Sequence, residues 1–156
     1  MKKAVMYGAG NIGRGFIGQL FSESGYEVVF IDINSAIVER LNIDRSYPIR
    51  IVDDDIFSEV IIRNVRAVNG SDLEAVQSEI AGADIMATSV GVNILPGIAA
   101  TIAAGLRKRW MNGNNEPLNI IICENLADAD KLLSQCIERE LTPGEKERFH
   151  DCVGLV

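Results

Sequence analysis

Short apolar runs alternate with stretches of helical periodicity along most of the chain. Runs at residues 4–7, 28–31, 84–90 and 118–123 have the length of buried strands. Between them, apolar residues recur every three or four positions, as on one face of a helix. This alternation predicts β-α-β units, and therefore an α/β fold with a doubly wound, mostly parallel sheet and helices on both faces.

The helical stretches also predict which side chains are buried. The first helix is expected to bury Ile12, Phe16 and Leu20, with Ile17 and Phe21 beside them. Two later helices are expected to follow the same rule. Their predicted buried rows are Leu73, Val76 and Ile80, behind a capping box that starts at Ser71, and Ile94, Ile98, Ile102 and Leu106.

Two segments depart from the β-α-β pattern. Residues 47–68 alternate in the manner of strands, which predicts a small extra β excursion, such as a hairpin, outside the main sheet. The acidic run at residues 53–55 lacks the alternating spacing of a calcium loop, so we interpret it as a solvated turn. The last four residues, 153–156, are predicted to form a sixth core strand.

A glycine motif joins the first strand to the first helix. Residues 8–13 read G-A-G-N-I-G, the G-x-G-x-x-G fingerprint in the strand-turn-helix context that dinucleotide binding requires. Gly8 permits the tight turn, Gly10 keeps a side chain away from the pyrophosphate, and Gly13 lets the helix approach the sheet. The motif predicts a Rossmann-type domain whose first helical N–H groups face the cofactor phosphates.

Asp32 ends the second strand 19 residues after Gly13, where an acid bonds the adenosine ribose in NAD-binding domains. Its carboxylate is expected to repel the 2′-phosphate of NADP. The next three residues, Ile33, Asn34 and Ser35, include no arginine to receive that phosphate. The sequence therefore predicts NAD as the cofactor.

Polar or small residues follow two later strands at the same predicted edge. Val90 and Gly91 allow the backbone to approach the cofactor, although an ordinary strand-to-helix turn explains them equally well. Glu124 and Asn125 suit the nicotinamide end, although Asn125 and Asp128 are also suitable helix caps. The complete predicted cofactor-binding set is Gly8, Ala9, Gly10, Asn11, Ile12, Gly13, Arg14, Asp32, Ile33, Asn34, Val90, Gly91, Glu124 and Asn125.

Composition excludes several other functions. The net charge of −7 provides no basic field for a nucleic acid, and no apolar run is long enough to span a membrane, which predicts a cytoplasmic protein. The three cysteines form no C-x-x-C pair and are interpreted as reduced core residues. The single histidine, His150, has no recognisable nucleophile partner, so no catalytic residue and no metal site are assigned in this chain.

The run Y-G-A-G-N-I-G-R-G-F-I-G at residues 7–18 resembles the amino-terminal signature of the mannitol-1-phosphate 5-dehydrogenases, which are polyol-specific long-chain dehydrogenases. Residues 88–91, 117–125 and 153–156 are similar to the family's successive strand ends. The resemblance implies metal-independent interconversion of mannitol 1-phosphate and fructose 6-phosphate with NAD. It also implies that the catalytic lysine and the sugar-phosphate contacts belong to a helical domain expected after residue 156.

Two alternatives stay open at this point. Mannitol 2-dehydrogenases and hexuronate reductases share the fold and the lysine chemistry, so a related polyol or hexuronate substrate is compatible with the resemblance. A free-standing module that senses NAD(H) is a different class of function, because Rossmann domains are not always parts of enzymes.

Overall fold

The computed structural model describes residues 1–53 and 56–156. Its strands are β1 (Lys3–Tyr7), β2 (Glu27–Asp32), β3 (Ser46–Asp53), β4 (Ile56–Arg63), β5 (Val65–Asn69), β6 (Ile85–Thr88), β7 (Leu118–Ile122) and β8 (Val153–Leu155). Its helices are α1 (Gly18–Glu23), α2 (Ser35–Asp44), α3 (Leu73–Ala81), α4 (Ala99–Met111), α5 (Ala129–Glu138) and α6 (Pro143–Cys152). A wide π-helical turn (Gly13–Ile17) leads into α1, and a 3₁₀ turn (Leu95–Ile98) leads into α4.

Six strands form one parallel sheet in the order β5-β2-β1-β6-β7-β8. The strand order reverses direction at β1, which has β2 on one side and β6 on the other. Loops that leave neighbouring strands there diverge to opposite faces of the sheet and open a crevice at its carboxyl edge. The predicted fold class is confirmed.

Apolar side chains cover both faces of the sheet. On one face, β-strand residues pack with Val76, Ile102 and Leu133 from α3, α4 and α5. On the other, Phe21 of α1 and Leu41 of α2 pack against the sheet. Because both faces are covered, the strands are almost continuously apolar, as parallel strands usually are. No helix in the described part of the chain is long and apolar enough to cross a bilayer.

The first helix buries a different face from the one predicted. Ile12, Phe16 and Leu20 are 52, 58 and 45% exposed, whereas Ile17 and Phe21 are buried. Glycines set this orientation, because the helix approaches the sheet most closely where it has no side chains. A Cβ on Gly13 would overlap the Gly8 carbonyl oxygen, and one on Gly18 would lie 2.6 Å from the Phe30 ring.

The predicted starts of α3 and α4 also need correction. Asp72, not Ser71, caps α3, and its carboxylate accepts from Ala75 N at 3.1 Å. Leu73 and Ile94 are 54 and 55% exposed, while the rest of each predicted row is buried. Both residues lie at the carboxyl edge of the sheet, where the chain has only begun to turn into a helix.

The excursion between α2 and β5 is an antiparallel hairpin of β3 and β4, separate from the main sheet. Tyr47 anchors its base, because its hydroxyl donates to the Arg14 carbonyl oxygen at 2.7 Å and its ring contacts Phe30 edge-on. The predicted excursion is confirmed for the hairpin, whereas the last residues of the predicted span, 65–68, belong to β5 of the main sheet. Of the predicted acidic turn at residues 53–55, Asp53 ends β3 and the other two residues lie outside the described residues.

The last strand lies at the edge of the sheet and is only partly buried, so the prediction of a core strand was wrong. The three cysteines are unpaired, as predicted, but half-buried rather than in the core. Near this edge, Thr142 and Glu145 form a complete capping box at the start of α6. Glu145 also accepts from Arg107 of α4 at 2.6 Å and so joins two helices.

Replacing Glu145 by glutamine keeps a capping residue but removes the charge that pairs with Arg107. The Arg107 side chain and the Thr142 backbone N–H lower the pKa of Glu145 to about 2. A carboxyl with a lowered folded-state pKa contributes stability above its unfolded pKa of about 4.3 and loses it as the pH falls further. We expect Glu145→Gln to lower the free energy of unfolding by about 1 kcal/mol or less at pH 7, the range of partly exposed ion pairs.

The difference between wild type and Glu145→Gln should shrink at pH 3, and urea unfolding at both pH values measures it. Glu147→Gln is the matched control, since Glu147 is exposed on the same helix and has no ion pair among the described residues. An equal difference at pH 7 and pH 3 would contradict the assigned role of the ion pair.

Candidate functional site

The glycine turn after β1 is shaped by contacts between backbones. Gly8 has φ = +104°, a conformation that side chains disfavour, and a Cβ there would overlap the Ser89 carbonyl oxygen of the loop after β6. Its N–H donates to the Ile31 carbonyl oxygen of β2 at 2.8 Å. Gly10 is different, because a Cβ there would meet no atom within 4 Å. Gly8 is therefore required by the fold, while Gly10 leaves open space beside the turn.

Asp32 connects the end of β2 to the glycine turn. Its Oδ2 accepts from the Ala9 backbone N–H at 2.8 Å, and its Oδ1 accepts from the Asn34 N–H at 2.9 Å. The carboxylate therefore lies at the cleft with its position determined by two backbone donors. Each oxygen retains a lone pair for a further donor, such as a hydroxyl group.

A cleft of about 560 Å³ lies at the carboxyl edge of the sheet. Five predicted cofactor-binding residues line it: Gly8, Gly10, Asp32, Ile33 and Val90. Its other lining residues are Tyr7, Ile31, Gly70, Leu73, Ser89, Asn93, Ile94, Gly97, Ile98 and Thr101. Its wall is mainly apolar with a few polar groups, which is typical of small-molecule sites.

The sequence analysis assigned three of these wall residues, Leu73, Ile94 and Ile98, to buried helix faces and missed others. Leu73 and Ile94 each begin an apolar row immediately after a strand-end loop, and that position was the available signal for a cleft residue. Among the residues that line the cleft, burial raises the pKa of Tyr7, although a hydrogen bond with Thr101 opposes the shift. Tyr7 therefore stays a neutral phenol at physiological pH.

The loop after β6 is held by a carboxylate from the next strand. Glu124 accepts from the Val90 N–H at 2.8 Å and from the Gly91 N–H at 2.9 Å. Gly91 has φ = +95°, so the loop needs glycine at this position. Glu124 therefore holds the loop that forms part of the cleft wall, and the neighbouring Asn125 is exposed.

The alternative assignment of helix caps to Asn125 and Asp128 fails for Asp128. This residue adopts a left-handed conformation before α5 and makes no capping hydrogen bond, and its carboxylate pairs with Lys131 at 2.7 Å instead. The neighbouring Cys123 is not activated as a nucleophile, because burial and the Glu124 charge raise the pKa of its thiol.

The remaining predicted residues lie around the glycine turn. Asn11 and Ile12 are exposed at the helix start, where backbone N–H groups lack an intrahelical acceptor. Arg14 folds back so that its Nε donates to the Ala9 carbonyl oxygen at 2.6 Å. Asn34 caps α2 by accepting from Ala36 N and Ile37 N. Among the described residues, no group of three His, Cys, Asp or Glu side chains is placed to hold a metal ion.

A parallel sheet, a glycine turn at its switch point and an acid after the second strand together define a Rossmann-type dinucleotide-binding domain. The family model described as the mannitol dehydrogenase Rossmann domain matches residues 2–156. The chain therefore belongs to the mannitol dehydrogenase family, which confirms the resemblance seen in the sequence.

Curated relatives agree with this assignment. The chain is 42% identical over 152 residues to a mannitol-1-phosphate 5-dehydrogenase of Brevibacillus brevis, with 97% of this chain and 39% of the relative covered. It is 44% identical over 154 residues to the enzyme of the same name from Halalkalibacterium halodurans, covering 98% and 40%. The chain thus spans about 40% of the length of the curated relatives it matches.

Solved structures show the same fold at low sequence identity. A Pseudomonas fluorescens mannitol 2-dehydrogenase, in a ternary complex with NAD and D-mannitol, matches with a TM-score of 0.81 and 10% identity. The match covers 98% of this chain and 40% of that one. A D-sorbitol dehydrogenase matches with a TM-score of 0.80 and 13% identity, covering 98% and 41%.

Removing the Glu124 carboxylate tests its role in holding the loop. Hydrogen bonds to a charged group contribute about 1.5–3 kcal/mol each. In Glu124→Ala we therefore expect the Val90 and Gly91 amides to exchange with solvent about tenfold faster or more. The Ser89 amide donates to the Tyr7 carbonyl oxygen at 2.8 Å and should keep its protection.

Hydrogen exchange measured by NMR provides the readout. Asp128→Ala is the control, because it removes the next carboxylate along the same loop without touching Val90 or Gly91. Unchanged exchange at Val90 and Gly91 in Glu124→Ala would show that the loop does not depend on this carboxylate.

Proposed function

We propose that this chain is the NAD-binding part of an oxidoreductase that interconverts D-mannitol 1-phosphate and D-fructose 6-phosphate. The observation that carries the cofactor assignment is the open space at Gly10, on the wall of a cleft that Asp32 also lines. A glycine that the fold does not require, at the place where a Rossmann domain approaches a pyrophosphate, indicates room for a ligand.

The residues around the cleft suit the successive parts of a dinucleotide. Leu73 and Ile94 supply apolar surface for the adenine, and Asp32 has lone pairs for the ribose hydroxyls. Gly10 and the helix start at Asn11 suit the pyrophosphate. On this proposal Val90, Gly91 and Asn125 lie toward the nicotinamide, which carries the hydride when the cofactor is bound.

Asp32 favours NAD over NADP. The 2′-phosphate of NADP occupies the place where a ribose hydroxyl meets this carboxylate, so two negative charges would approach each other. The backbone bonds from Ala9 and Asn34 prevent the carboxylate from turning away without losing both.

The substrate proposal rests on the family and on the names of the relatives. Those at 42–44% identity are mannitol-1-phosphate 5-dehydrogenases, which favours this sugar phosphate over the other polyols and hexuronates considered. A metabolic enzyme of this kind is proposed to act in the cytoplasm.

We further propose that the base and the sugar-phosphate contacts come from a region beyond the matched 40% of the relatives. Within the described residues, neither lysine nor histidine lines the cleft. Alcohol oxidation needs a group that accepts the hydroxyl proton, and Tyr7 is a poor candidate because burial raises its pKa. The chain described here therefore supplies the cofactor site and not the base.

Replacing Gly10 by valine tests the cofactor site directly. The side chain would fill space that no protein atom occupies, so we expect a folded protein that no longer binds NADH. Gly144→Val is the matched control, because a Cβ on Gly144 would also meet open space. Gly144 lies in α6, none of whose residues lines the cleft. Calorimetric titration with NADH measures both variants, and normal affinity in Gly10→Val would remove pyrophosphate binding from this turn.

If the base lies outside this chain, the chain should bind NADH but should not turn over mannitol 1-phosphate. A missing base costs about 10²–10⁴ in rate, and loss of substrate positioning can add roughly 7–11 kcal/mol to the barrier. Absorbance of NADH at saturating NAD and mannitol 1-phosphate is the assay, with the full-length Brevibacillus brevis relative as the positive control. Turnover comparable to that of the relative would place the base within these 156 residues.

A further inference from the structure

Arg14 and Asp32 lie on different elements, and both form hydrogen bonds with Ala9 of the glycine turn. Its Nε donates to the Ala9 carbonyl oxygen at 2.6 Å, and the Ala9 N–H donates to Asp32 Oδ2 at 2.8 Å. The guanidinium and the carboxylate are thus attached to the two polar groups of one residue. The three residues after Asp32 include no arginine, whereas Arg14 directly follows the glycine motif.

A second cavity of about 400 Å³ opens beside the Asp32 loop. Arg14, Asn34 and Ala36 line it, and the Asn34 N–H is bonded to Asp32 Oδ1. The cavity therefore begins two residues from the acid that marks the ribose position.

The two arginines that line this cavity differ in whether a carboxylate pairs with them. Arg40 also lines it, but pairs with Asp44 at 2.5 Å. In the described part of the chain, no carboxylate pairs with Arg14, and its contact with Ala9 uses only Nε. The two terminal nitrogens of Arg14 remain to bind an anion, in the fork geometry that suits phosphate.

We propose that Arg14 and this cavity form a latent site for the 2′-phosphate of NADP. The negative charge of Asp32 excludes the phosphate from this site. The inference rests on the proposed function, because it assumes that the adenosine ribose binds at Asp32. Removing the carboxylate would eliminate a like charge and leave an unpaired guanidinium next to the vacated space. Cofactor preference would then be set by the balance between one acid and one arginine on neighbouring elements.

The experiment compares NADH and NADPH affinities, by fluorescence titration, in the wild type and in Asp32→Ala, Asp32→Ala/Arg14→Gln, Asp32→Ala/Arg14→Lys and Asp32→Ala/Arg40→Gln. We expect Asp32→Ala to raise the NADPH-to-NADH affinity ratio about tenfold or more at low salt. Arg14→Gln should remove most of that gain, while Arg14→Lys, which keeps the charge but not the fork, should retain part of it.

Arg40→Gln is the matched control, since it removes a cation from the same cavity that is already neutralised by Asp44. It should preserve the ratio seen in Asp32→Ala. The gain should also fall as salt rises from 0.05 to about 0.5 M, because exposed charges are screened. If the Arg14→Gln variant does not fold, the partial loss expected for Arg14→Lys still tests the contact.

Three results would overturn the inference. An Asp32→Ala variant that binds NADH with no improvement in the ratio would show that no latent phosphate site exists. An equal loss in the Arg14 and Arg40 variants would show a general field rather than a specific contact. A wild-type chain that binds neither dinucleotide would refute the proposed function, and this inference with it.

Discussion

Three backbone segments converge at the switch point of the sheet, and the close contact between Gly8 and Ser89 determines how near they come. A side chain at Gly8 would overlap the Ser89 carbonyl oxygen, and its positive φ excludes most residues for a second reason. Gly13 is under the same constraint, because a side chain there would overlap the Gly8 carbonyl oxygen. The cleft exists because these backbones pack together without side chains between them, which leaves the space above them open.

Two carboxylates stabilise the loops that this packing brings together. Asp32 accepts from backbone groups on the glycine turn and on its own loop, and Glu124 does the same for the loop after β6. Each links two strand ends that are far apart in sequence. Both carboxylates accept charge-assisted hydrogen bonds from backbone N–H groups. Such bonds are stronger than neutral hydrogen bonds and hold the cleft wall in one geometry. In this chain, acidic residues at the strand ends therefore shape the cleft wall.

The chain spans about 40% of the length of its curated relatives, and among the described residues neither lysine nor histidine lines its cleft. The glycine turn, Asp32 and the loop after β6 all come from the first six strands, so a cofactor site can be completed within this length. The proposed cofactor contacts are thus encoded within the first six strands, and the proposal assigns the substrate contacts to the region that the longer relatives have outside the match.

Much of this protein was predictable from the sequence, because strand runs, helical periods and the glycine motif are local patterns. The parallel sheet, the hairpin and the acid at Asp32 follow from residue types at fixed spacings. The buried face of α1 was not predictable in this way, because Phe16 and Ile17 are equally apolar and only the glycine contacts with the sheet select between them.

The same reason applies to the site. Leu73 and Ile94 are ordinary apolar residues in the sequence, and their positions at a strand edge turn them into cleft walls. Glu124 is 34 residues from Val90, and Arg14 is 18 residues from Asp32, so neither relation has a local signal. The sequence by itself determined the fold class and the glycine turn, since these depend on periodicity and on backbone freedom. Only the tertiary structure decided which side chains meet at the carboxyl edge, because those contacts join loops from different strands.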